Sequence, residues 1–248
     1  MGREATYRGV MQRTDRRRRV VIATMVAVVV VLGAAGFAAA ALRAGDGTVV
    51  RDESVRVIPA LALPEPRTDG QTSLEQAFGM RGSVREFDDE PLTLGELGQL
   101  LWAAQGLRKE GRNAPSAGGL YPLELYVAHQ DGIYHYRPDG HEVAAVSSTD
   151  IREPLAVAAL DQRAFHTAPA VVAVTGVNER MARKYGDRAE QYVLIEAGHA
   201  AQNLLLQAAV IGIGAVPNGA FDDARVTELF ELPDGTAPLY LIPIGRPA

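Results

Sequence analysis

Three short stretches hold residue types that could do chemistry. In Arg81-Gly-Ser-Val-Arg-Glu-Phe87, alternation along an extended chain would bring Arg81, Ser83 and Arg85 to one face. Two guanidiniums and a hydroxyl on a shared face suit a phosphate, because arginine donates through a planar fork. A solvated edge strand has the same pattern. Asn113-Ala-Pro-Ser-Ala-Gly-Gly-Leu-Tyr-Pro122 places two adjacent glycines and a serine between prolines. Glycine accepts backbone angles that other residues resist, so such a loop can turn its N–H groups toward a flat or anionic ligand. An ordinary surface turn has the same composition. Ile213-Gly-Ala-Val-Pro-Asn-Gly-Ala-Phe221 is a second glycine–proline loop.

Composition narrows the chemistry. The 248 residues are 47% hydrophobic, enough for one sizeable core. The absence of cysteine excludes disulfides, thiolate metal sites and cysteine nucleophiles. No Gly-x-Ser-x-Gly elbow is present either. His129, His135 and His141 are not at ligand spacing, which argues against a metal. The net charge is −5, although residues 1–43 are strongly basic, so the body is acidic and poorly suited to nucleic acid. Lysine occurs only at Lys109 and Lys184, which makes each position conspicuous.

The elements that must position these stretches can be read from pattern. Ser73 caps a short helix through Met80, and Thr93-Leu-Gly-Glu96 is a capping box opening a helix that Gly106 ends. Leu94, Leu97, Leu100 and Leu101 form its apolar stripe, with Trp102 expected in the core. Leu123–His129, Ile133–Arg137 and His141–Ser147 read as a meander joined by Asp131-Gly132 and Asp139-Gly140 turns. A helix over Ile151–Leu160, a valine-rich strand over Pro169–Gly176 and a helix over Asn178–Tyr185 follow. Asp187–Ile211 is the longest helix of the body, a central element suited to a subunit interface, with His199 expected as a packed core residue. Asp222 caps a helix to Phe230, and Leu239–Ile244 is a last strand before Gly245-Arg246.

Upstream, Arg16–Arg19 leads into Val20–Leu42, an uncharged run of 23 residues. At ~1.5 Å per residue a helix of this length spans ~35 Å, against a bilayer core of ~30 Å. The reading is a basic cytoplasmic tail over 1–19, a transmembrane anchor over 20–42, a linker over 43–72 and a folded domain over 73–248. A cleaved signal peptide, with small residues at Ala38–Ala41, is the competing account.

Five motifs in order resemble the nitroreductase superfamily: Arg81–Phe87, then Leu-Leu-Trp-Ala-Ala-Gln-Gly over 100–106, Ala114–Pro122, Glu196–Leu206 and Val216–Phe221. Within it the chain looks most like the SagB-type branch of thiazole/oxazole-peptide (azoline) dehydrogenases. The resemblance covers the chain from about Leu63 to its end. It implies an α+β fold, a central mostly antiparallel sheet wrapped by helices, in an intertwined homodimer with FMN at the interface. Arg81, Ser83 and Arg85 would then hold the flavin's phosphate and ribityl end. Pro115, Ser116, Ala117, Gly118 and Gly119 would lie along the ring or chain, from the opposite subunit. Pro217, Asn218 and Gly219 would face the reactive edge, and Arg246 would add a phosphate contact. Gly119 stands where small nitroreductases carry an asparagine, so that side chain's hydrogen bond to the ring is missing here. Lys184-Tyr185 resembles a Lys-Tyr pair that moves protons in azoline dehydrogenases. The implied activity is FMN-dependent oxidation of azoline heterocycles in a peptide. The alternatives are NAD(P)H-driven reduction of quinones or nitro compounds, and a membrane-tethered flavin-binding module without chemistry.

Overall fold

A computed structural model describes residues 60–248. Seven strands form one sheet in the order β1-β4-β3-β2-β5-β7-β6, and every pair is antiparallel. The strands are β1 (Ala60–Ala62), β2 (Leu123–His129), β3 (Gly132–Arg137), β4 (Glu142–Ser147), β5 (Ala170–Val177), β6 (Gly214–Ala215) and β7 (Thr236–Gly245). The helices are α1 (Leu74–Met80), α2 (Leu94–Gln105), α3 (Arg152–Ala158), α4 (Arg163–Thr167), α5 (Asn178–Tyr185), α6 (Ala189–Val210) and α7 (Asp223–Leu229). This is the expected α+β class.

Pleating explains the valine-rich centre. On β5, Val172 and Val174 enter the core under α2 and α6, while Val171 and Ala173 enter the core under α3 and α7. On β2, Leu123, Leu125 and Val127 face the first core, and Tyr126 and Ala128 the second. A strand covered on both faces reads as a continuous apolar run. The expected Ser73 cap and Thr93–Glu96 capping box start α1 and α2, and Gln76 makes the first a capping box too.

The long helix α6 buries Val193, Ala197, Ala200, Ala201, Leu204 and Ala208 against the sheet. Its outward side leaves Leu194 51% and Ile195 49% exposed, with His199 exposed beside them. His199 is therefore on the surface, not a packed core residue. Trp102 is only half-buried, because it faces a groove of about 670 Å³ between residues 67–74, α2 and α6.

The expected single-pass membrane placement is corrected as well. Among the described residues, no helix is long and apolar enough to cross a membrane. The expected anchor over 20–42 and the basic tail lie outside the described residues, as does most of the linker.

Candidate active site

The first of the three stretches runs extended after α1, bridging to β6 at Ser83–Ala215 and to the chain end at Phe87–Pro247. The Val84 amide donates to the Ala215 carbonyl at 3.1 Å. A side chain at Gly214 could not be accommodated, since its Cβ would sit 2.7 Å from Val84 Cγ1. That glycine lets the strip lie against the sheet edge. Arg81 is half-buried, while Ser83 and Arg85 are exposed, and Arg85 Nη1 reaches back to the Ser83 carbonyl at 3.4 Å. Neither Arg81 nor Arg85 has a carboxylate partner among the described residues. Two unneutralised guanidiniums flanking a serine can receive an anion.

Ala215 leads straight into the second glycine–proline loop, so the strip and that loop are neighbours. Asn218 is buried and exchanges two backbone hydrogen bonds with Leu241, both 2.9 Å. Its Oδ1 accepts from the Ala220 amide at 2.9 Å, an Asx turn that leaves Gly219 exposed. Pro217 is half-buried ahead of it.

Arg246, expected near the phosphate, directly follows β7. Its guanidinium is held between Glu90 (3.0 Å) and Glu96 (2.9 Å), the second of which also caps α2.

The loop 113–122 forms a second cluster. Asn113 Nδ2 donates to the Trp102 carbonyl at 2.6 Å and ties the loop to α2. Ser116 Oγ accepts from the Tyr121 amide at 2.9 Å, closing the turn around Ala117–Gly119. Pro115, Gly118 and Gly119 are exposed, and both glycines have left-handed backbones, φ 64° and 65°. Beside exposed Gly118 stand the two residues that the sequence singled out far downstream. A Cβ there would meet Lys184 Nζ and Tyr185 Oη, each at 2.7 Å. Lys184 and Tyr185 end α5, and Tyr185 is steadied edge-on by Tyr192 of α6 at 4.9 Å. Gly118→Ala is expected to cost about 1 kcal/mol through its left-handed backbone and to push the Lys184–Tyr185 pair off the loop. Chemical denaturation reads the first effect, and altered Tyr185 ring resonances read the second.

A polar network flanks this loop that sequence reasoning did not anticipate. Arg180, one turn before Lys184, donates to the Tyr121 carbonyl at 3.1 Å and pairs with Glu124. His135 meets the other oxygen of Glu124 at 2.8 Å and stacks on Tyr126. Burial alone would raise the Glu124 carboxyl, but His135 and Arg180 together hold it below the usual carboxylate range. Behind the loop, Glu196 of α6 is buried beside Ser116. No hydrogen bond or ion pair of the described residues joins this second cluster to the Arg81–Gly219 cluster.

The nitroreductase family description matches residues 79–246, which spans both clusters. The chain belongs to the nitroreductase family. A candidate nitroreductase of Methanocaldococcus jannaschii is 40% identical over 184 residues, 71% of this chain and 92% of that protein. The crystal structure of a candidate nitroreductase from Ralstonia eutropha superposes with a TM-score of 0.69 at 32% identity, over 76% of this chain and 90% of that one. The NADPH:FMN oxidoreductase of Vibrio harveyi, complexed with NAD+, shares the fold with a TM-score of 0.53 at 22% identity, over 70% of this chain and 68% of that one. As a nitroreductase-family protein, the chain is an oxidoreductase by class.

Proposed function

We propose that this nitroreductase-family protein is an FMN-dependent dehydrogenase acting on azoline-type heterocycles in a peptide. The observation that carries the proposal is the seating of Lys184 Nζ and Tyr185 Oη directly over Gly118 of the loop 113–122.

The residues present fit the cofactor. Arg81 and Arg85 supply uncompensated positive charge for a dianionic phosphate, and Ser83 supplies a hydroxyl between them. Ser116, Ala117, Gly118 and Gly119, following Pro115, offer backbone and little bulk, which suits a flat ring held by shape. Pro217, Asn218 and Gly219 form the rigid edge that would face the ring's reactive side. When bound, FMN accepts a hydride at N5.

Oxidising an azoline also requires removal of a proton from the carbon next to the one that loses hydride. Lys184 Nζ or Tyr185 Oη takes that proton, since both stand at the loop on the end of a helix braced by Tyr192. No nucleophile is required of the protein.

A homodimer completes the site in this reading. The exposed stripe of Leu194, Ile195 and His199 on α6 supplies an apolar face for a second copy. The lack of direct bonding between the two clusters suits a site divided between subunits.

A second reading, NAD(P)H-driven reduction of quinones or nitro compounds, is favoured by the 40% identity to the candidate nitroreductase of Methanocaldococcus jannaschii. Anaerobic mixing of the FMN-loaded full chain with a thiazoline-containing peptide, NADH or NADPH separates the two. Bleaching by the peptide and formation of thiazole support the dehydrogenase. Bleaching by NAD(P)H alone, with no thiazole formed, overturns it in favour of the reductase.

A further inference from the structure

Beneath the loop 113–122 lies a buried polar cluster whose Glu196 and Gln105 have no part in the reading above. Glu196 is 2% exposed and Gln105 is 1% exposed, yet neither Glu196 oxygen nor Gln105 Nε2 has a hydrogen-bond partner. Buried polar groups are ordinarily paired, and an unpaired one costs its full desolvation. Here three such atoms converge where α2, α6 and the loop meet. Gln105, the last residue of α2, is anchored through its Oε1 by Arg112 Nη1 at 3.0 Å. The Arg112 guanidinium also lies 5.0 Å over the Tyr121 ring. Ser116 Oγ is spent as an acceptor on the Tyr121 amide, which leaves its proton free to be donated. Ser116 and Gln105 both approach the Glu196 carboxyl as donors without reaching hydrogen-bond geometry.

We infer that Glu196 is a positioning residue for the loop: in its neutral form it sits behind Ser116 in the turn that presents Gly118 and Gly119, and its ionisation loosens that turn. The donor count explains the direction. An ionised carboxylate is acceptor-only and must draw in donors. Those within reach are Ser116, Gln105 and Arg112, and two of the three belong to the loop or its approach. Drawing the Arg112 guanidinium onto an ionised Glu196 takes it from Gln105 Oε1 and from the face of the ring of Tyr121, a non-glycine residue at φ 47°. Burial pushes the Glu196 carboxyl up to about 7, against the opposing pull of Ser116, Arg112 and Gln105, so the change falls near neutrality. Arg112 is the charged group acting on it; its other polar neighbours are the neutral Ser116 and Gln105. Because this carboxyl is raised above its unfolded value, the stability it confers is full below the ordinary carboxylate range and is lost as pH rises through about 7.

The test needs no ligand in its first arm. Hydrogen exchange of the Tyr121 amide is compared between the full-length wild type and Glu196→Gln at equal pH, so that the intrinsic pH dependence cancels. From about pH 5.5 to 8.5, wild-type protection is expected to fall at least about threefold relative to the variant, which stays locked as a neutral isostere. Ser116→Ala should likewise be insensitive to Glu196 ionisation, which covers a Glu196→Gln chain that fails to fold. Identical pH profiles in wild type and variants overturn the inference. The second arm rests on the flavin reading and titrates FMN and riboflavin. Affinity is expected to fall with pH in wild type and stay level in Glu196→Gln, relative to each ligand's own titration. If no flavin binds, the flavin reading fails alone and the Tyr121 result still decides the role of Glu196.

Discussion

Replacing both Arg81 and Arg85 by alanine is expected to weaken FMN binding by roughly 10²–10⁴-fold and to leave riboflavin binding nearly unchanged. A hydrogen bond to a charged group contributes about 1.5–3 kcal/mol, and two such contacts to a phosphate would be removed. The expectation depends on these arginines having no carboxylate to pair with, unlike Arg246, whose guanidinium Glu90 and Glu96 already hold. Arg246→Ala should therefore act mainly on stability, by releasing Glu96 at the start of α2. Fluorescence titration of the apo protein with the two flavins reads both variants. Equal losses for FMN and riboflavin in the double variant would show that the strip supports the fold without gripping phosphate.

Lys184→Ala is expected to lower azoline oxidation by roughly 10²–10⁴-fold while flavin remains bound, the range typical of removing a positioned base. Lys184 is exposed, and its amine stands over Gly118, so its loss should leave the core intact. Tyr185→Phe separates the two candidates. It retains the edge-on contact with Tyr192 and removes only the hydroxyl. Rapid-reaction measurement of flavin reduction by a thiazoline peptide gives the rates directly. An unaltered rate in both variants would remove the pair from the chemistry.

Much of the scaffold was legible because its signals are local. Asn178–Tyr185 is helical over the residues expected, and the meander follows its two Asp-Gly turns. The last strand extends over Thr236–Gly245, longer than the Leu239–Ile244 expected, because Pro238 and Pro243 mask strand character within it. The two-residue β6 and the five-residue α4 are too short for any period to register. The small residues around His199 read as burial from every side, which is why the sequence pattern points it inward. In the structure it falls on the exposed side of α6 with Leu194 and Ile195. The meeting of Lys184 with Gly118, across 66 residues of chain, depends on how α5 packs and has no local signature. Glu196 did leave one: it occupies a position of the buried α6 stripe between Val193 and Ala200, where a carboxyl is costly. A charge at a core register position is a signal of function as well as of error.

On the proposed reading, Arg81–Arg85, Ser116–Gly119 and Pro217–Gly219 hold FMN. Equilibrium dialysis of the folded full chain against FMN, followed by denaturation and identification of the released flavin, tests it most directly. Saturable, phosphate-dependent FMN binding is expected, and the Arg81→Ala/Arg85→Ala double variant is expected to lose it. A folded chain that retains no FMN at saturating concentration would contradict it.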